Sequence, residues 1–110
     1  GGLALWGWYL DPVGIQRIDV YIDGVFHGRA YMGASREDVY KVYPDYNNHV
    51  AGFYVNNIDV TTDGTPRTKK NKKGKREVVP GEFVHGVTLK VINRANVTTE
   101  IGSTLLINLN

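Results

Sequence analysis

Apolar and polar positions alternate most regularly between Arg17 and Tyr31, and this pattern predicts a β-hairpin. A period of two sends the apolar side chains of a strand to one face, so the first strand should cover a core. Asp23-Gly24 has the composition of a tight hairpin turn. The predicted inward-facing residues of this first strand are Ile18, Val20 and Ile22.

The loop length of this hairpin determines which face each residue of the second strand takes. A two-residue loop would place His27 on the core face and Phe26 outside, whereas a three-residue loop with a bulge at Gly24 would reverse them. Because a one-residue change of register moves every side chain to the opposite face, the bulged loop fits the residue types better. We therefore expect Gly24 at positive φ, Phe26 buried and His27 exposed.

Four further segments show strand-like alternation, and one shows helical spacing. In Leu3–Leu10 both faces are expected to be at least half buried, and turn residues follow at Asp11–Gly14. Ser35 and Asp38 have the spacing of a capping box, which predicts a short helix near 36–43 that Pro44 ends. The remaining predicted strands are Val50–Val60 with Phe53, Val55 and Ile58 inward, Phe83–Asn93 with Val87, Leu89 and Val91 inward, and a last edge between Val97 and Asn110.

The segment Thr61–Gly81 differs from the rest because it contains two prolines, three glycines and almost no residue to bury. It predicts either a long exposed loop or a protruding β-ribbon. With about seven strands and one helical turn, the whole pattern suits an all-β antiparallel sandwich.

Composition limits the possible architecture. A chain of 110 residues is long enough for one domain with a core but short of two. No apolar run approaches the roughly 18 residues that a membrane span needs. The chain has no cysteine, which excludes disulfides, thiolate metal sites and cysteine nucleophiles. It opens on Gly-Gly, so we expect any secretion signal to lie outside these residues.

The net charge of +2 hides a separation of charge along the chain. Seven of the 13 Lys and Arg residues fall between Arg67 and Arg76, a stretch without acids, and the remaining six face 11 acids for a net −5. This stretch could bind a polyanion such as teichoic acid, nucleic acid, a heparin-like glycan or an anionic membrane. Because it has no aromatic residues for base stacking, we do not expect nucleic acid as the partner. The stretch could equally be a solvated loop. The candidate polyanion-binding residues are Arg67, Lys69, Lys70, Lys72, Lys73, Lys75 and Arg76.

Aromatic residues are numerous for this length. Flat rings can stack on sugar faces while polar neighbours bind hydroxyls, but aromatic residues also pack in strands and cores. Tyr43, Tyr46 and Tyr54 are the candidates for exposed glycan-stacking positions. The full set is Trp6, Trp8, Tyr9, Tyr31, Tyr40, Tyr43, Tyr46 and Tyr54.

No spacing indicates a catalytic triad or a zinc site, and we expect no cofactor. His27, His49 and His85 are interpreted as scattered surface residues. Asp19 and Asp23 could join Asp59 or Asp63 around calcium, but they could also be solvated edge acids. Arg36 and Asp38 are interpreted as structural residues, with Asp38 at the helix start and Arg36 paired with a neighbouring carboxylate.

Three stretches of the chain resemble a known family: GWYLDPVGIQRIDVYIDGVFHGRA, SREDVYKVYPDY and AGFYVNNIDV. In this order they resemble the bacterial immunoglobulin-like modules of secreted Gram-positive proteins. The resemblance covers roughly Leu5 to Val60, and GVTLKV with NRAN resembles the final hairpin of the family, after an insertion at about 61–82.

The resemblance implies one immunoglobulin-like domain over residues 1–110, at the cell surface or outside the cell, without shared catalytic residues. Such a domain would be an accessory module of a larger secreted or surface protein. It would serve as a spacer or as an adhesion unit that binds cell-wall polymer or glycan. The alternative is a polyanion-binding domain that acts through Arg67–Arg76.

Overall fold

The structure, a computed structural model, describes residues 2–59 and 65–108. Within these ranges the chain forms eight strands and one α-helix. A 3-10 turn at Pro44–Tyr46 follows the helix. The elements in chain order are β1 Gly2–Trp8, β2 Ile15–Ile22, β3 Val25–Arg29, β4 Tyr31–Ala34, α1 Glu37–Val42, β5 Gly52–Asp59, β6 Thr65–Lys70, β7 Arg76–Asn93 and β8 Thr98–Asn108.

The strands form two antiparallel sheets, which confirms the predicted all-β sandwich. One sheet has the order β1-β5-β4; in the other, β3, β2 and β7 follow one another and β8 pairs with β7. The first sheet has three strands and the second has five, because β6 also pairs with β7. β6 pairs with the first half of β7, beyond the strands that cover the core.

The core lies between the two sheets and is built from the residues that alternation placed inward. Ile18 and Val20 of β2 are 1% and 0% exposed, and they pack against β5 and β7. The predicted inner faces of β2 and β5 are confirmed. The buried members of the two packed clusters are Ile18, Val20, Phe53, Val55, Ile58, Val87 and Val91.

The hairpin turn has two residues, so the predicted bulge at Gly24 is wrong, although Gly24 does take positive φ. Asp23 has φ 51° and Gly24 φ 81°, the pair of left-handed residues that a type I′ turn requires. Tyr21 pairs with Phe26, and the register then shifts so that Val20 pairs with Gly28. The extra residue therefore sits later in β3 than predicted.

Because the bulge lies later in β3 than predicted, one of the two side-chain predictions for this strand is wrong and the other is confirmed. Phe26 is 55% exposed, so its predicted burial is wrong. Its ring meets that of Tyr21 edge-on at 5.6 Å on the outer face of the sheet. His27 is exposed as predicted, because the bulge removes it from the alternation that would have turned it inward.

The face of β1 that carries Trp6 and Trp8 is open to solvent, contrary to the prediction that both faces are at least half buried. Trp6 is 70% exposed and Trp8 41%. Leu5 points the other way and packs against the core cluster. The two tryptophans lie on the outer face of the three-stranded sheet.

The predicted helix is present, but the capping box is not. Arg36 is the N-cap and no side chain caps the helix, so Ser35 does not take that role. Instead, the Arg36 guanidinium donates to both carboxylate oxygens of Asp38 at 2.9 and 2.8 Å, as the predicted pairing required. This guanidinium lowers the pKa of Asp38 to about 2. No helix in the described ranges is long and apolar enough to cross a membrane.

His85 is buried, so its assignment to the surface is wrong. The side chain is 4% exposed, and its Nδ1 lies 2.6 Å from Asp23 Oδ2. Because a carboxylate can only accept, His85 donates the proton of this hydrogen bond. Asp23 Oδ1 also accepts from the Gly86 amide at 2.8 Å, and the Asp23 amide donates to the Gly86 carbonyl at the same distance. The β2–β3 turn is thereby fastened to β7.

Candidate functional site

The outer face of the three-stranded sheet carries a continuous set of exposed rings. Residues at i and i+2 of a strand share a face, so Trp6 and Trp8 of β1 lie side by side. Tyr54 of β5 and Tyr31 of β4 continue the surface across the sheet, because both belong to the same cross-strand row as Trp6. An exposed apolar surface of this kind indicates a binding function more often than scattered single residues do.

Trp6, Tyr54 and Tyr31 form a stacked row across the three strands, which we call the aromatic row. The ring centroids of Trp6 and Tyr54 are 4.9 Å apart with an interplanar angle of 30°, and those of Tyr54 and Tyr31 are 5.1 Å apart at 21°. Offset stacking at these separations covers ring faces. Tyr54 is therefore enclosed on both faces, and the row stabilises the sheet surface.

Trp8, Tyr43 and Tyr46 border an open depression, the Trp8 cleft, with Tyr9 and Leu10 as its other lining residues. Its volume is about 390 Å³. The Trp8 and Tyr43 rings are tilted by 36° with centroids 5.9 Å apart, so they flank the depression without stacking closely. Exposures of 41%, 45% and 43% for Trp8, Tyr43 and Tyr46 leave ring surface accessible.

The local sequence explains why this cleft stays open. Trp8 pairs with Gly52, which has no side chain to lie beside the indole. A Cβ on Gly52 would lie 2.7 Å from the Ala34 carbonyl oxygen and 2.9 Å from Arg36 Cγ, so only glycine fits there. Pro44 ends α1 and begins the 3-10 turn that carries Tyr46.

The helix that carries Tyr43 is held in place by the loop before β5. The Arg36 amide donates to the His49 carbonyl at 2.8 Å, and His49 Nδ1 lies 2.8 Å from Glu37 Oε2. The imidazole also stacks on Tyr40 with a centroid separation of 3.7 Å. These contacts fix α1 against the loop and so position Tyr43 relative to Trp8.

The structure brings together two of the three predicted glycan-stacking residues. Tyr43 and Tyr46 share the Trp8 cleft, whereas Tyr54 lies in the aromatic row with both faces covered. The sequence prediction did not select Trp8 for this site. Trp6 and Trp8 alternate with Leu5 and Gly7, but both faces of this strand are apolar, so the sequence did not show which face is exposed.

The described part of the basic stretch, from Thr65 onward, forms a β-ribbon, the second of the two predicted alternatives. The end of β6 and the start of β7 pair as Lys70 with Arg76 and Lys69 with Glu77. Asn71 organises the turn between them, because its Oδ1 accepts from the amides of Lys73 and Lys75 at 2.9 and 3.0 Å. The ribbon is therefore an ordered element, and its position beyond the core places the cations in solvent.

The carboxylates proposed for calcium do not converge. Asp19 lies within 3.2 Å of Arg17 and 3.7 Å of Arg29, whereas Asp23 binds His85. The Asp59 side chain and Asp63 lie outside the described residues. Within the described part of the chain, no group of three or more His, Asp or Glu residues could hold a metal ion.

The fold and the exposed rings define the class as an all-β antiparallel sandwich with an aromatic surface. Comparisons with protein-family models, with curated proteins and with solved structures found no match. The resemblance to bacterial immunoglobulin-like modules therefore stays a prediction from sequence motifs.

Proposed function

We propose that this protein is a non-catalytic accessory module that binds glycan or cell-wall polymer in the Trp8 cleft. The observation that carries the proposal is the pair of accessible, tilted rings of Trp8 and Tyr43 beside an open depression. Large aromatic side chains that remain in water do not contribute the stabilising free energy that their burial would supply. A ligand that covers these rings would recover part of it.

A carbohydrate fits the chemistry of this surface. The apolar face of a pyranose can lie on a flat ring, and the phenol hydroxyls of Tyr43 and Tyr46 can exchange hydrogen bonds with sugar hydroxyls. The volume of about 390 Å³ is within the usual range for small-ligand sites, roughly 300–1,000 Å³. With a tilt of 36° the two rings offer adjoining apolar faces, on which successive sugar units of one chain would lie.

The biological setting of the proposal rests on the sequence resemblance. Modules of that kind are attached to larger secreted or surface proteins, so we propose an extracellular or cell-surface location and other domains of the same polypeptide as partners. A spacer without a ligand is the other role that the resemblance implies. Binding measurements separate the two roles.

Replacing Trp8 by alanine should weaken retention on purified cell walls and insoluble polysaccharides by about tenfold, since the loss of one stacked ring costs roughly 1.4 kcal/mol. Trp6→Ala is the matched control, because it removes the same residue type from the same face of β1. Its ring does not line the Trp8 cleft, so retention should stay within about twofold of wild type. The assay is sedimentation with the insoluble polymer, quantified from unbound protein.

Salt provides an internal check on this measurement, because ring stacking responds little to ionic strength whereas binding by surface charges is screened. Retention that depends on Trp8 should be nearly equal at 50 and 500 mM salt. Equal losses for Trp8→Ala and Trp6→Ala would contradict the cleft as the site. No retention of the wild-type module on any tested polymer would favour the spacer.

A further inference from the structure

The turn of the β6–β7 ribbon holds its lysines at defined positions. The Asn71 amide donates to the Lys75 carbonyl at 2.8 Å, and the Gly74 amide donates to the Asn71 carbonyl at 3.0 Å. Gly74 has φ 79°, the left-handed conformation that favours glycine. Together with the two hydrogen bonds to Asn71 Oδ1, these contacts form an ordered turn at the tip of the ribbon, from which cationic side chains project into water.

The pairing of the ribbon sorts the seven cations into two groups. Arg67 donates to Glu82 Oε2 at 2.8 Å, and Lys69 lies directly opposite Glu77 in the register. These two cations have an acidic neighbour. Of the seven cations in this stretch, only Arg67 forms an ion pair within the described ranges. The five that neither form an ion pair nor pair with an acid across the ribbon are called the tip cations: Lys70, Lys72, Lys73, Lys75 and Arg76.

Two of the tip cations are held side by side. Lys70 and Arg76 form a directly opposed cross-strand pair, an arrangement in which like charges destabilise a ribbon. The Arg76 guanidinium is fixed on the ribbon, because it donates to Thr68 Oγ1 at 3.0 Å and to the Thr68 carbonyl at 2.9 Å. Folding gains nothing from this repulsion, whereas a bound anion between the two charges would remove it.

The composition of the tip narrows the chemistry of that anion. Four of the five tip cations are lysines, which bind phosphate as point charges, and the single guanidinium is already engaged by Thr68. Residues 70–76 include no aromatic side chain for stacking bases and no apolar side chain for entering a membrane. A narrow two-stranded tip with charges around it suits a flexible chain better than a flat surface.

We propose that the tip cations form a second binding site, separate from the Trp8 cleft, for a linear polymer of phosphodiester groups that is recognised by charge alone. Polyol phosphates and single-stranded nucleic acids share this chemistry. The proposal does not depend on glycan binding, because it uses different residues. It keeps five of the seven sequence-based candidates and leaves out Arg67 and Lys69.

The test compares two double variants that remove the same number of charges. Lys72→Gln with Lys75→Gln removes two tip cations, and Arg67→Gln with Lys69→Gln removes the two that face carboxylates. The probe is fluorescently labelled poly(glycerol phosphate), and its dissociation constant is measured by anisotropy from 50 to 200 mM salt. Single-stranded DNA with the same number of phosphates is the second probe.

Five phosphate contacts predict a slope of log affinity against log salt near −3.5, which corresponds to about 100-fold weaker binding over this fourfold range. Loss of two tip cations should reduce the slope to about −2, or roughly 20-fold. The Arg67 and Lys69 double variant should bind within about threefold of wild type. The two probes should bind wild type equally well within that margin.

Two outcomes would overturn the proposal: absence of salt-dependent binding, or equal losses for both double variants. A preference of more than about tenfold for DNA would overturn recognition by charge alone. The Trp8→Ala variant should bind poly(glycerol phosphate) as wild type does, so failure of either site is seen separately. Far-ultraviolet circular dichroism of each variant confirms that the sandwich is intact.

Discussion

Replacing Ile18 by alanine should lower the free energy of unfolding by about 2–5 kcal/mol. Ile18 is 1% exposed and packs with Phe53 of the opposite sheet and Val91 of the neighbouring strand. The truncation removes apolar contacts from both sheets at once and leaves a cavity that a close-packed core fills only in part. A loss at the upper end of the range would represent much of the stability of a domain of this size.

The measurement is urea unfolding followed by tryptophan fluorescence, with Ile101→Ala as the matched control. Ile101 lies in β8 and is 37% exposed, so the same truncation there should cost about 1 kcal/mol or less. A loss under 1 kcal/mol for Ile18→Ala would mean that the two sheets are not packed together through this residue.

Removal of the Asp23 carboxylate should lower the free energy of unfolding by a similar amount. In Asp23→Ala the hydrogen bonds to the buried His85 and to the Gly86 amide lose their acceptor, which costs about 1–3 kcal/mol. Alanine at φ 51° adds about 1–2 kcal/mol, because a Cβ is unfavourable in the left-handed region. Asp23→Asn separates the two contributions, since asparagine tolerates this conformation but carries no charge.

The acid dependence of stability tests the charge of Asp23. The hydrogen bond from His85, followed by that from the Gly86 amide, lowers the pKa of Asp23 in the folded state. A depressed folded pKa contributes stability above the unfolded value of about 4 and loses it as the pH falls through the folded value. The stability difference between wild type and Asp23→Asn should therefore shrink below about pH 4. A difference that stays constant from pH 7 to pH 2 would contradict the ionised carboxylate.

The inner faces of the sandwich could be predicted because a buried sheet face imposes a strict period of two. Ile18 and Val20 on β2, and Phe53 and Val55 on β5, follow that period, and all four are buried. This alternation is visible in the sequence because a polar residue at a core-facing position would be desolvated without a partner, which is unfavourable.

Features that depend on one residue of register or on distant pairing could not be predicted. The hairpin bulge moved from Gly24 to the stretch before Gly28, which exposes Phe26. His85 looked like a surface residue because its partner Asp23 lies 62 positions away. For Phe26 the deciding factor is one residue of register within a local hairpin, whereas for His85 it is a contact between strands that only the folded sheet brings together.

The candidate site was predictable in part for the same reasons. Tyr43 and Tyr46 flank Pro44, so the sequence placed them at an exposed helix end, but β1 is apolar on both faces and left the orientation of Trp8 open. The number of cations in the ribbon could be counted from the sequence. That Arg67 is paired with an acid could not, because its partner Glu82 lies 15 positions away.

The chain has two tryptophans, and their indole N–H signals give the most direct test of the proposed glycan site. In a ¹⁵N-labelled sample titrated with soluble cell-wall oligosaccharides, we expect the Trp8 signal to shift in a saturable manner. The Trp6 signal should change little, because its ring belongs to the aromatic row with Tyr54. A saturable shift of Trp6 alone, or of neither indole with every oligosaccharide tested, would contradict glycan binding in the Trp8 cleft.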